Sequence, residues 1–138
     1  AVHTHMTNSR MTDVEVFEQQ FPVLVEAFAI RRGSGGNGEY RGGDGVVRKL
    51  RFTAPVQAAI LSNHRRVAPF GLDGGKPAAA GANRVVRRDG RVDELTGTAT
   101  VDLDAGDTMV IETPGGGGFG KSHLRHQVLD HSRTRSVS

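Results

Sequence analysis

A mainly β domain, a sandwich or barrel-like fold with one short N-terminal helix and glycine-rich loops, is the architecture expected of this 138-residue chain. Three observations carry that expectation. Short runs rich in Val, Ile, Leu, Thr and Phe recur at close spacing, and apolar positions alternate along them with the period of a strand. Glycine accounts for 19 residues and gathers in blocks between those runs, where the chain must turn. Helical spacing is confined to a single stretch ahead of a proline.

The opening "AVHTHMTNSR" has neither helical nor strand period and no initiating methionine, so the chain is expected to begin inside a larger protein. In "TDVEVFEQQF", Thr12 or Asp13 is placed to cap a helix, Glu15 and Glu18 fall in early turns, and Val14, Phe17 and Phe21 recur at helical spacing. That helix ends before Pro22. "PVLVEAFAIRR" then alternates as a strand with both faces partly apolar. Residues 34–45, "SGGNGEYRGGDG", hold six glycines in twelve positions and read as turn chemistry.

Residues 46–53, "VVRKLRFT", resume a strand, and "VQAAILSNH" at 56–64 reads as another. "APFGLDGGKPAAAGA" at 68–82 is a loop by composition. "NRVVRRDGRVDEL" reads as a hairpin, since Asp89-Gly90 between two β-branched arms is a strong turn signal. "TATVDLDAGDTMVIETP" supplies two more strands around residues 104–107. No internal repeat is visible.

Composition narrows the function classes. With 36% apolar residues and no run near the ~20 that a membrane helix needs, a single globular domain outside the membrane is expected. The absence of cysteine excludes disulfides and thiolate ligands, and with no basic-then-apolar leader a cytoplasmic location is expected. A net charge of +3 invites a nucleic-acid reading, but the arginines are scattered among fifteen acids, and one Tyr with no Trp leaves little for base stacking. No nucleic-acid partner is expected.

"PGGGGFGKSH" poses a sharper question. Gly115 and Gly120-Lys121-Ser122 match G-x-x-x-x-G-K-[ST], the loop whose amides cradle phosphates. Such a loop joins a buried parallel strand to a helix within a set of crossovers, whereas the segments before it are short, β-rich and divided by turns. No nucleotide-binding residue is therefore assigned, and the glycines are read as a tight turn.

Other residues bear chemistry. His3 and His5, two apart, share one face of a strand, and with Asp13 they would suit a divalent metal such as zinc or manganese; the alternative is a packed loop. Arg41 would either bind an anion or tie two turns together. Gly35, Gly36, Gly42, Gly43, Gly74 and Gly75 are expected to shape loops close to a partner surface. His123, His126 and His131 imitate a helical ligand set, but residues 121–138 read as a divergent, flexible tail.

The ordered blocks "HMTNSR", "SGGNGEYRGGDGVVRKLRF", "PFGLDGGKP" and "TPGGGGFG" resemble the closing part of the hydantoinase B and 5-oxoprolinase family, over about residues 1–120. That family includes N-methylhydantoinase B subunits, the C-terminal half of ATP-dependent 5-oxoprolinase, and acetone and acetophenone carboxylase subunits. Asn8-Ser9-Arg10 agrees with the family pattern; Ala78 stands where a glycine is usual, and the tail matches nothing in it.

The resemblance implies a C-terminal portion of a longer subunit that opens a lactam or hydantoin ring. ATP would be bound by a hydantoinase A-like partner, with magnesium or manganese as accompanying ion. His5, Thr7, Asn8 and Arg10, in a block the family shares, combine an acid-base group, hydroxyl and amide donors and a fork for a carboxylate or phosphate, and are the candidate catalytic strip. The contrasting expectation is a β module with a structural or assembly role and no catalysis of its own. A partner surface left bare would favour self-association into a homo-oligomer.

Overall fold

The computed structural model describes residues 12–122. One helix and seven strands appear in chain order: α1 Val14–Gln20, β1 Val23–Arg31, β2 Gly45–Phe52, β3 Val56–Leu61, β4 Ala82–Val86, β5 Val92–Leu95, β6 Thr98–Leu103 and β7 Thr108–Glu112. Five strands form a sheet in the order β1-β2-β7-β4-β5, and β3 pairs with β6 in a second sheet. Every pairing is antiparallel. Neither sheet closes on itself, so the expected mainly β fold is a two-layer sandwich and not a barrel.

Alternation explains the layering. In β6, Val101 and Leu103 face inward while Thr100 and Asp102 face outward, and in β3 Val56, Ala58 and Ile60 share the inner face. These meet Val85 of β4 and Met109 of β7, with Phe52, Leu95 and Ile111 closing the rim. Val85 and Leu103 are 0% and 1% exposed. Burying each such side chain stabilises the fold by roughly 1.5–3 kcal/mol.

The strand expected over 56–64 ends earlier, at Leu61. Ser62 leaves the ladder because its amide and hydroxyl both donate to the Gly97 carbonyl, at 2.7 and 3.0 Å. Its oxygen also accepts from the buried Asn83 Nδ2 at 2.9 Å. In β1 the register slips between Val25 and Ala27, and the Val25 amide beside the bulge donates to Glu18 of α1 at 2.7 Å. Asp13 is the N-cap of α1, as one of the two expected caps, but its side chain makes no capping hydrogen bond. Among the described residues no helix is long and apolar enough to cross a membrane.

The hairpin at Asp89-Gly90 forms as expected: Gly90 sits at φ 90°, and the Arg87 amide donates to the Arg91 carbonyl at 2.7 Å. β6 and β7, adjacent in sequence, belong to different layers, and the corner between them is locked by Asp107. Its carboxylate, 3% exposed as a residue, accepts the amides of Asp104 and Arg88 and the Arg87 guanidinium, at 3.0, 2.9 and 3.0 Å. Burial alone would push this carboxyl up; the two amides and the guanidinium outweigh it and hold its pKa below the usual 3.8. Arg87 in turn grips Asp93 at 2.7 Å, which raises its own pKa.

A depressed folded pKa means that ionised Asp107 contributes stability in full above the unfolded value, and that this is lost as pH falls through the folded one. Asp107→Asn should lower stability at pH 7 by about 2 kcal/mol. The gap between wild type and variant in urea unfolding should narrow below about pH 4; a gap unchanged down to pH 2 would show that the carboxylate charge plays no part in the corner.

Candidate functional site

Three glycine-rich segments leave the sandwich at one end and interlock there: the β1–β2 loop, the β3–β4 loop and the stretch after β7. Their contacts run from backbone to backbone. The Gly36 amide donates to the Gly116 carbonyl and the Gly116 amide to the Gly43 carbonyl, at 2.9 and 2.8 Å. Lys76 donates to the Asn37 carbonyl at 2.7 Å and accepts from Gly118 at 3.0 Å. Tyr40 and Phe119 exchange both amide hydrogen bonds at 2.9 Å, and Leu72 donates to Gly118 while accepting from Gly120. Backbones this close exclude side chains: a Cβ on Gly42 would overlap the Gly116 carbonyl.

This arrangement answers the question posed by "PGGGGFGKSH". The amides of Gly115, Gly116, Gly118, Phe119 and Gly120 all donate to carbonyls of the other two loops, so the donors a phosphate cradle needs are already engaged. β7, the strand leading into the run, is antiparallel to both of its neighbours. The glycines make a backbone knot and not a nucleotide loop.

Beside the knot lies an open cleft of about 620 Å³ lined by Asn37, Gly38, Arg41, Gly74, Lys76, Lys121 and Ser122. Arg41 donates to Asp44 at 2.8 Å, and Asp44 also accepts the Gly35 amide at 2.9 Å. That amide is the chief cause holding the Asp44 carboxyl below its usual pKa, against burial, with Arg41 adding to it. Gly74 adopts φ +87°, and a Cβ there would lie 2.5 Å from Lys121 Cγ. Around the same end Tyr40, Phe70, Leu72 and Phe119 are exposed, with the Tyr40 and Phe119 rings 6.3 Å apart.

The sequence-level candidates divide accordingly. Arg41 and Gly74 come together in the cleft. Gly42, Gly43 and Gly75 lie in the knot, Gly43 as acceptor and Gly75 as donor to Leu72 at 2.8 Å. His3, His5, Thr7, Asn8 and Arg10 lie outside the described residues, as do His123, His126 and His131. Asp13 is exposed at the start of α1. Among the described residues no three His, Cys, Asp or Glu side chains gather as a metal set, so they supply at most Asp13 to one. Asn37 and Lys76 were missed as cleft residues, since nothing in their spacing from Arg41 and Lys121 announces that they meet.

The family model described as hydantoinase B/oxoprolinase matches residues 1–122. The chain belongs to that family. This hydantoinase B/oxoprolinase chain is 50% identical over 121 residues to a protein named 5-oxoprolinase 1 from Arabidopsis thaliana, covering 88% of this chain and 10% of that protein. It thus spans about a tenth of the length of the curated relatives it matches. Its fold is similar to that of an ATP-dependent caprolactamase from Pseudomonas jessenii (TM-score 0.67, 25% identity, 79% of this chain and 20% of that one). It is also similar to a nucleotide-free acetone carboxylase (TM-score 0.66, 21% identity, 81% and 19%).

The knot makes an asymmetric prediction for this family member. Gly42→Ala, which drives a methyl into the Gly116 carbonyl, should cost roughly 3 kcal/mol or more. Gly116→Ala, whose Cβ finds its nearest atom at 3.3 Å, should cost under about 1 kcal/mol. Denaturant unfolding of the two variants checks it; equal losses would mean that the loops do not approach as described.

Proposed function

We propose that this chain is the terminal β-rich part, residues 1–120, of the B component of an ATP-dependent cyclic-amide hydrolase of the 5-oxoprolinase or N-methylhydantoinase type, followed by a divergent tail. The observation that carries the reading is the 50% identity to 5-oxoprolinase 1 sustained over 88% of this chain. A carboxylase role has weaker support, because the likeness to acetone carboxylase, at 21% identity, reaches the fold alone.

In this reading ATP is held by a hydantoinase A-like partner subunit or domain, in keeping with knot amides that are already engaged. The partner activates the amide oxygen, and the B component completes ring opening of a small lactam or hydantoin in the cytoplasm. His5, Thr7, Asn8 and Arg10 form the catalytic strip, with His5 as acid-base group and Arg10 as the fork for an anionic oxygen. A magnesium or manganese ion at His3, His5 and Asp13 belongs to the same proposal; no step is drawn through it.

A second reading, a non-catalytic assembly module, has one observation in its favour: Tyr40, Phe70, Leu72 and Phe119 lie exposed beside the knot, at 66, 71, 57 and 47%. Replacing the matching segment of Arabidopsis 5-oxoprolinase 1 with this chain separates the two. The hydrolase reading expects ATP-dependent ring opening to survive the exchange and to fall by about a hundredfold with His5→Ala or Asn8→Ala. A folded, active chimaera indifferent to both substitutions would leave the assembly role. Self-association of the isolated chain is expected through the bare apolar residues, and a clean monomer by light scattering at high concentration would count against it.

A further inference from the structure

Each of the three interlocked loops delivers one cation to the cleft: Arg41 from the β1–β2 loop, Lys76 from the β3–β4 loop and Lys121 from the stretch after β7. Their placement follows from the backbone. Lys76 is pinned on both sides of its α-carbon, by its own amide to Asn37 and by Gly118 to its carbonyl. Lys121 follows Gly120, whose amide donates to Leu72 at 3.0 Å and whose carbonyl accepts from Glu39 at 3.2 Å. The turn at Gly74 lies against the Lys121 stem. Arg41 is oriented by Asp44, itself fixed by the Gly35 amide, which leaves the rest of the guanidinium fork toward the cleft.

No carboxylate lines the cleft, and among the described residues neither Lys76 nor Lys121 takes part in an ion pair. Glu39, Asp44 and Asp73 lie close in sequence to its lining residues, yet only Asp44 meets one of the three cations, through Arg41. Three like charges converging on one concave surface repel unless something negative sits among them, and a cleft of one sign concentrates anions. Asn37 and Ser122 add an amide and a hydroxyl to the same wall.

We propose that this cleft is an oxyanion-binding site, in which Arg41, Lys76 and Lys121 grip a carboxylate or phosphate group with Asn37 and Ser122 as neutral donors. The site works through side-chain cations beside the knot and leaves the engaged glycine amides untouched. The Gly-Lys-Ser sequence at 120–122 thus takes part in anion binding by a geometry unlike that of a nucleotide loop. The inference stands on the cleft alone and does not depend on the catalytic reading above.

The test is a titration of the 138-residue chain, followed by amide chemical shifts, with inorganic phosphate, pyrophosphate and acetate at constant ionic strength. Saturable shifts at Gly38, Gly74 and Gly75 are expected, weakened by at least about tenfold in Lys76→Met/Lys121→Met, which keeps both aliphatic stems. Lys49→Met, on β2 and away from the cleft, should bind as wild type does. Comparable saturation by acetate and phosphate identifies a general oxyanion site; much tighter pyrophosphate binding identifies a polyphosphate, and saturation by acetate alone a carboxylate. Shifts that never saturate, that centre elsewhere, or that persist unchanged in the double variant would overturn the proposal.

Discussion

The close approach of three backbones governs one whole end of this protein. Where Gly36, Gly42 and Gly116–Gly118 meet, carbonyls and amides of separate loops pair at 2.8 to 3.0 Å, a distance at which no β-carbon fits between the chains. Glycine is what lets irregular segments share a hydrogen-bond network as dense as that of a sheet, and this accounts for blocks of glycine that no single turn would need. The sandwich supplies the anchors. Ser34, buried beside β2, links the Arg31 carbonyl to the Gly45 amide through its hydroxyl. Thr113 closes β7 against Val46 with both its amide and its hydroxyl oxygen.

The knot separates the chemistry of the backbone from that of the side chains. Its amides are turned inward on the other loops, so anion recognition at this end falls to whatever side chains the knot projects, and those are two lysines and an arginine. At the opposite extreme of burial, the Asp107 corner turns its polar groups to structure: a carboxylate out of water is tolerable because two amides and a guanidinium surround it. One charge cluster holds two layers together; the other lies open on a concave surface. That contrast in burial and pairing makes the first a structural lock and the second a binding surface.

Much of the fold was legible in the sequence. Alternation located all seven strands because each has one face on the core, as Val101 and Leu103 show against Thr100 and Asp102, and Asp89-Gly90 announced its hairpin. The end of β3 was misplaced because Ser62 looks like any strand terminus until Gly97 and Asn83 are seen to claim its polar atoms. Partition into layers was not legible either: the turn from Leu103 to Thr108 reads as an ordinary connection, and only the register shows that it crosses between sheets. The site was legible in part. Arg41 and Gly74 stood out because glycine blocks advertise crowded backbone, whereas Lys76 and Lys121 meet only through contacts between segments more than forty residues apart in sequence, which no local pattern encodes.

Everything said of this end rests on the knot being a hydrogen-bonded unit and not three adjacent loops. Amide hydrogen exchange measures this directly. If the knot exists, the amides of Gly36, Gly116, Gly118 and Phe119 exchange as slowly as those of Met109 and Val110 in the central strand, although none belongs to a strand of either sheet. Exchange at the rate of open turn amides such as that of Asp89 would contradict the account, and with it the placement of the cations that line the cleft.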